Sequence, residues 1–597
     1  MKTLTLDSGP NGQYIGRVTI LSKDLVLLIN LRNNIMATGN NTSFATWTTL
    51  FLLVTTLATA AADVSPTRFC RRATDPNACE AIIANHLEAA GMTSTTTTNV
   101  SSPVLLRQFL TAYADHMTAA TSRFSKVAGS YSGHPRERMA FADCSELINL
   151  SIDQVKDAIK ALAAAGTKSS RRRRVRAADA HTSLSAVLTN HVTCTDGLTS
   201  PEKSPAKRVL EDLISKARVA LAILADFRDQ NDDAEWKLFK RSRSTHRLRR
   251  RRQPKVGRKC PKWVRSRDRD LLRRKGKEIK ADFVVSKDDD ADFSTLKKAV
   301  DAVEEGREKR VVIYVKEGVY NEYVEVGPGK KNVMIVGDGA NATIFTGSHN
   351  YVDNYTTFNS FTLASKGANF ILQDLSVWNT AGAKKHQAVA LRVGGDKSII
   401  NRCQIVGYQD TLYAHSQRQF YRDSTIKGTV DFIFGNAAAV FQNCNIVARK
   451  PMSSQQNMVT AQGRVDQNQN TGISLQSCGI VPGQDLKPVS DEIQTFLGRP
   501  WKKYSRTMVM ESYIAGHIDP AGWHPWSGDD YLDTLWFGEY DNRGPGSKTG
   551  DRVEWKGYHK VEKSSVAADF TVKKLLETED DRWVAKSGVD YTEGLSG

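Results

Sequence analysis

The 597-residue sequence lacks most patterns that announce cofactor-dependent or nucleotide-driven chemistry. Its eight cysteines show no zinc-type spacing, which excludes a structural zinc module. No phosphate-cradling glycine loop and no flavin fingerprint occur. No serine-nucleophile motif accompanies His386, so that residue reads as a histidine satisfied beside Gln387, not as a catalytic base. Long apolar runs are also scarce. The stretch Trp47 to Ala62 falls short of the ~20 residues a membrane helix needs. Its Ala58-Thr-Ala60 exit suits a signal-peptide core, with a signal anchor as the alternative, so residues 1–62 read as a leader. Met36 is a second candidate start within it.

The formal charge of +18 invites a nucleic-acid reading, and its location argues against one. Between Lys237 and Lys280 stand 21 Lys/Arg against three acids, so this stretch accounts for the whole net charge. It contains Arg247-Leu-Arg-Arg-Arg-Arg252, and no aromatic stacking platform interleaves these arginines. Blocks of like charge are solvated. Residues 229–280 therefore read as a basic linker, cut by a processing protease at Arg252, with no nucleic-acid partner. A second run, Arg171 to Arg174, reads as an exposed loop. Asn-x-Ser/Thr sites at Asn99, Asn149, Asn341 and Asn354 fit a secreted, extracellular protein.

What the sequence does contain is a pair of aspartates 21 residues apart in glycine-marked apolar segments. Asp410 lies in Gly407-Tyr-Gln-Asp-Thr-Leu-Tyr413 and Asp431 in Gly428-Thr-Val-Asp-Phe-Ile-Phe-Gly435. Carboxylates are costly in apolar surroundings, so such a pair suggests catalysis. Gln387 and Gln409 repeat the interval, at 22. Five segments beginning at Phe370, Ile399, Phe420, Val440 and Ser474 share an apolar/polar alternation over eight residues, each expected to be one strand. A repeat near 21 residues suits one coil of a solenoid. The fold class expected is an all-β right-handed parallel β-helix over 281–597, preceded by an all-α four-helix bundle over 66–228. Gln387, Gln409 with Asp410, and Asp431 would then stand on successive rungs about 4.8 Å apart. The helix Thr295 to Glu305 would cap the first coil.

The bundle's helices are expected around Ala81–Leu87, Val104–Leu110, Leu147–Ala165 and Val209–Phe227. In the repeat, Cys403, Ser424, Cys444 and Cys478 occupy one position on successive coils. Two rungs separate Cys403 from Cys444, too far for a bridge, which makes Cys444–Cys478 the feasible disulfide and leaves Cys403 and Cys260 free.

Five motifs then occur in order: Gly318-Val-Tyr-Asn-Glu322, His386-Gln-Ala-Val-Ala-Leu391, the two aspartate segments, and Leu497-Gly-Arg-Pro-Trp501. Together they resemble plant pectinesterases. The N-terminal half resembles the pectinesterase-inhibitor domain that many of these enzymes carry as a pro-region, on Cys70-Arg-Arg-Ala-Thr-Asp-Pro-Asn-Ala-Cys79, Asp143-Cys-Ser-Glu-Leu147 and Leu188-Thr-Asn-His-Val-Thr-Cys194. The resemblance implies bridges Cys70–Cys79 and Cys144–Cys194. It implies hydrolysis of pectin methyl esters in the cell wall, with Asp431 as nucleophile and Asp410 as acid/base. Gln387 and Gln409 would stabilise the oxyanion, and Arg499 would orient Asp431. Thr357, Gln387, Arg499 and Trp501 would contact substrate. No cofactor and no metal are implied. Its partners would be methyl-esterified pectin, pectinesterase-inhibitor proteins and its own N-terminal domain, and the mature enzyme would be a monomer.

Without the resemblance each residue keeps a structural alternative. Arg499 reads equally as a structural ion pair and Trp501 as core filling. Gln387 and Gln409 could form an internal amide ladder, Thr357 is an ordinary turn hydroxyl, and Tyr413 either lines a groove or fills the core. Paired carboxylates also cleave glycosidic bonds, so a glycosidase or lyase is the competing enzyme class. Departures from the family pattern fall at Asp289-Asp-Ala291, Ser424 and Glu579-Asp-Asp-Arg-Trp583.

Overall fold

The computed structural model describes residues 2–4, 18–20, 66–91, 102–129, 134–163, 170–198, 206–242, 279–288, 291–576 and 581–596. The leader core 47–62, Met36, Asn99, the processing site at Arg252, Cys260, Asp289, Asp290, Glu579 and Asp580 lie outside the described residues. One unit holds a short antiparallel pair, Lys2–Leu4 with Val18–Ile20. The other unit contains the solenoid and, among the described residues, all the helices.

The helical part opens with α1 (Thr67–Cys70) and α2 (Pro76–Ala89), joined by the Cys70–Cys79 bridge. Asp75 starts α2 by accepting a hydrogen bond from the Ala78 N–H at 3.0 Å, with proline in the first turn. Four long helices follow: α3 (Ser102–Gly129), α4 (Pro135–Ala163), α5 (Ser170–Gly197) and α6 (Ala206–Ser242). Leu106, Leu110, Met117, Leu147, Leu184 and Leu213 fill the core between them, and Cys144–Cys194 ties α4 to α5. The sequence reading missed α5. Arg171 to Arg174 lie in its first turns and not in a loop, and α6 continues past residue 228.

The solenoid is a parallel β-helix of three sheets, with eleven, eight and seven strands. Its rungs stack in register: Leu372, Ile400, Tyr421, Phe441, Leu475 and Val509 form one inward column. Each eight-residue segment expected to be one strand is two, with a sharp bend between them. The bend residues Asp374, Arg402, Asp423, Asn443 and Ser477 have φ between 48° and 55°, and Glu511 at 53° and Asp541 at 47° continue the series. Across each bend the inward positions are three residues apart, as in Leu372 and Leu375, where a continuous strand would keep them two apart.

A short helix, α7 (Leu296–Asp301), capped by the Thr295 hydroxyl, packs Leu296, Ala299 and Val300 against the first coil, as expected. The outer face of the eleven-stranded sheet is covered as well. Ile371, Ile399, Phe420 and Val440 pack against Val572, Leu575, Leu576, Trp583 and Val584 of the C-terminal segment.

The expected Cys444–Cys478 bridge is not formed, and both residues are buried thiols, as is Cys403. The register does place Cys444 and Cys478 on adjacent rungs. Side chains stacked in parallel keep Cβ atoms near the ~4.8 Å rung spacing, beyond the ~3.5–4.5 Å a disulfide adopts. Their Sγ atoms donate instead to backbone carbonyls, Cys444 to Gln442 at 3.4 Å and Cys478 to Gln476 at 3.4 Å.

Candidate active site

In the seven-stranded sheet, Leu412 pairs with Ile433, which sets Asp410 and Asp431 at equivalent places on neighbouring rungs. Each aspartate ends a turn in the left-handed region, at φ 60° and 51°. The outward column of the same sheet runs Arg392, Tyr413, Phe434, Ala461, Arg499. It carries Arg499 to Asp431, where Nε and Nη2 donate to Oδ1 and Oδ2 at 2.8 and 2.6 Å. This two-pronged grip fixes both the charge and the aim of one carboxylate.

The second carboxyl has a different environment. Burial, then the neighbouring Asp431 charge, holds Asp410 well above the usual carboxylate range, against a smaller pull from Arg499. Burial raises Asp431 as well, but the Arg499 fork and its charge oppose that rise. Asp431 is therefore the first of the two to ionise, and Asp410 keeps its proton beside it. One acid and one carboxylate side by side can attack a carbonyl carbon and protonate a leaving group.

The cleft around the pair has a volume of about 460 Å³. Gln387, Gln409, Asp410, Asp431, Arg499, Trp501 and Thr357 all line it. Neither glutamine side chain is engaged by the described residues, and the buried Gln409 Oε1 has no partner there. No amide ladder forms. Tyr413 does both things left open for it: it is 3% exposed, lines the cleft and stacks on Phe434 at 4.2 Å. Trp501 packs over Gly463, where an added Cβ would meet its ring at 2.8 Å. His386 is exposed and has no side-chain hydrogen bond to the described residues, so it is not the satisfied histidine expected.

Sequence reasoning missed Trp526, whose ring lies 4.4 Å from the Arg499 guanidinium, and Phe358. The paired tryptophans of Trp523-His-Pro-Trp526 are the signal that was there to be read. It also missed how the helical part meets this site. Arg136, Ala140 and Asp143 of α4, with Thr193, Asp196 and Gly197 of α5, form the other wall of the cleft. Arg136 donates to the Tyr351 carbonyl at 2.6 Å, and Lys502 pairs with Asp196 at 2.6 Å. Asp143 accepts from Thr356 Oγ1 at 2.6 Å and from Asn359, while Glu146 pairs with Lys366. These contacts flank the Cys144–Cys194 bridge, which holds the two helices together over the site.

A parallel β-helix whose groove sets a buried acid beside an arginine-held carboxylate, between aromatic faces, is the scaffold of a polysaccharide-directed hydrolase. Comparison with known proteins makes the class specific. Residues 282–579 match the family model described as Pectinesterase, and 65–223 match Plant invertase/pectin methylesterase inhibitor. Pectinesterase 2.2 of Solanum lycopersicum is 48% identical over 534 residues, covering 89% of this chain and 91% of the relative. Pectinesterase/pectinesterase inhibitor 18 of Arabidopsis thaliana is 44% identical, with 89% and 91% covered. The solved pectin methylesterase from carrot is 51% identical with a TM-score of 0.52, covering 53% of this chain and 99% of its own. The chain belongs to the pectinesterase family: it is a carboxylic ester hydrolase acting on pectin, with an inhibitor-type domain at its N-terminal side.

Proposed function

We propose that Asp431 is the nucleophile and Asp410 the acid/base in removal of methyl groups from homogalacturonan. The ionised Asp431 attacks the C6 carbonyl of a methyl-esterified galacturonate, and the amides of Gln387 and Gln409 donate to the developing oxyanion. Such donors are worth about 3–4 kcal/mol each in other enzymes. Asp410 gives its proton to the methoxy oxygen, methanol departs, and an anhydride joins Asp431 to the sugar. Asp410, now a carboxylate, takes a proton from water. The resulting hydroxide attacks the anhydride carbon at C6, which frees Asp431 and the galacturonic acid. Arg499 keeps Asp431 ionised and aimed, Trp501 faces a sugar ring, and Thr357 contacts the polymer. The observation that carries this reading is the Arg499–Asp431 grip beside the buried Asp410 carboxyl in one cleft.

The helical domain, walling that cleft through Arg136, Asp143, Thr193 and Asp196, restrains the enzyme until a protease cuts the basic linker at Arg252. The processed enzyme then acts in the cell wall as a monomer, open to inhibitor proteins of the same type as its own domain. Methanol release from methyl-esterified pectin, compared between the full chain and residues 253–597, tests both parts. The expected result is methanol with polymer length unchanged, faster from the shorter chain. Shortening of the polymer without methanol would overturn the chemistry, and equal rates would overturn the restraint.

A further inference from the structure

A second cavity, of about 420 Å³, lies away from the aspartates, where the helical domain, the flank of the solenoid and the C-terminal segment meet. Its lining is strongly cationic: Arg72, Arg418, Arg464, Arg506 and Lys574 face one carboxylate, Asp569. Arg418 is already saturated by Asp396 and Asp179. The others are not. Arg506 donates from Nε to the Thr471 carbonyl at 2.8 Å and lies over the Phe570 ring at 5.5 Å, and its terminal amino groups make no hydrogen bond to the described residues. Arg464 spends Nε and Nη2 on the carbonyls of Gln469 and Gln467, leaving Nη1. The Lys574 side chain is exposed and makes no ion pair with the described residues.

Among the described residues, two guanidiniums and an ammonium share this cavity with the single lining carboxylate of Asp569, so positive charge is in excess and an anion completes the arrangement. The side chains of Gln467, Asn468 and Asn470 and the Thr182 hydroxyl add neutral hydrogen-bonding groups around it. Burial, and then the adjacent Arg506, holds Arg464 well below the ordinary guanidinium range, and burial pushes Arg506 down to about 10. The carboxylates of Asp466 and Asp569 pull the other way, on Arg464 and Arg506 respectively.

We propose that this cavity is an oxyanion-binding site centred on Arg464, Arg506 and Lys574, taking a phosphate or the carboxylate of a de-esterified uronate. The helical domain supplies Arg72, His181 and Thr182 to its wall, and the catalytic domain supplies the cations at its centre. An anion held there fastens the two domains together, so it stabilises the unprocessed chain at a place where no ester is cleaved.

The test uses the full-length chain. Isothermal titration and thermal unfolding are followed with inorganic phosphate and, separately, with trigalacturonate, at an ionic strength held constant with chloride. Saturable binding with a raised Tm is expected in at least one arm, and the arm that responds identifies the source of the anion. Arg506→Gln and Lys574→Gln should each weaken it about tenfold, while Arg506→Lys, which keeps the charge, retains most of it. The Lys574 side chain is exposed, so Lys574→Gln leaves the fold intact if Arg506→Gln does not. Absence of saturable binding in both arms overturns the proposal. So does trigalacturonate binding that both substitutions leave unchanged, since the ligand would then sit in the catalytic cleft.

Discussion

Arg499 holds Asp431 through two parallel hydrogen bonds, of 2.8 and 2.6 Å, from a strand two rungs further along the solenoid. A lysine in its place supplies charge without the fork. Arg499→Lys should lower kcat by about 10²–10³, the scale of losing one preorganised charge-stabilising contact. Arg499 pulls the Asp431 pKa down, so its loss raises that pKa, and Asp431 ionises only at higher pH. The acid limb of the kcat/KM profile should therefore move upward. Asp431→Ala should abolish methanol release with the Tm little changed. A limb that stays in place in Arg499→Lys would refute the orienting role.

The place of the Trp501 ring in the cleft depends on a residue with no side chain. An added Cβ at Gly463 would stand 2.8 Å from Cε3 and 3.2 Å from Cζ3 of Trp501, so Gly463→Ala must push the ring from its place. The expected effect is a rise in KM of about threefold to tenfold, equivalent to ~1 kcal/mol of lost contact. Steady-state kinetics on pectin check it, and an unchanged KM means that Trp501 is core filling.

The solenoid and its stacked aspartate pair were legible because a parallel β-helix converts sequence period directly into spatial adjacency. The 21-residue interval from Asp410 to Asp431 is the interval from Leu412 to Ile433, one ladder pairing. Other parts were hidden for physical reasons. The bends were written in the spacing of Leu372 and Leu375, or Ile400 and Cys403, where the inward phase slips by one residue. Helix α5 buries Thr182, Ser185, Thr189, Asn190 and Thr193, so polar residues occupy faces that an isolated bundle would fill with apolar ones. Several of these polar groups bond to the solenoid instead, as Thr189 does to Asn436 and Thr182 to Asn470. A periodicity search for one hydrophobic stripe cannot find a helix packed between two domains.

The thiols of the rung column give a chemical check on the register. Burial pushes Cys403 up to about 12 and Cys444 well above the ordinary thiol range, so neither reacts in the native chain. Alkylation without reductant should label Cys403, Cys444 and Cys478 only after denaturation. Cys70 should remain linked to Cys79 and Cys144 to Cys194, as peptide mass analysis would show. A linked Cys444–Cys478 peptide pair would show that the rungs open enough for the two Cβ atoms to approach.

Asp143 makes the seating of the helical domain on the cleft sensitive to pH. It is 4% exposed where α4 meets Thr356 and Asn359. Burial pushes its carboxyl up to about 6, against the Thr356 hydrogen bond and the charges of Arg392 and Lys366, with Glu325 adding to the rise. Once undocked, the carboxyl returns toward its ordinary value near 4. A group whose pKa is higher when docked favours docking fully below the undocked pKa, and that contribution disappears as pH rises through the docked one. The window is thus about pH 4–6, and two units correspond to at most about 3 kcal/mol. Lys366 is charged throughout this window and adds no slope, since burial lowers it only to about 7. The rate of the full chain relative to residues 253–597 should therefore climb between pH 4 and 6 and level off above. Asp143→Asn, which stays neutral at every pH, should flatten the ratio and hold it at the low, acid-side value. A ratio that climbs equally in Asp143→Asn would show that a group other than Asp143 sets the pH dependence of docking.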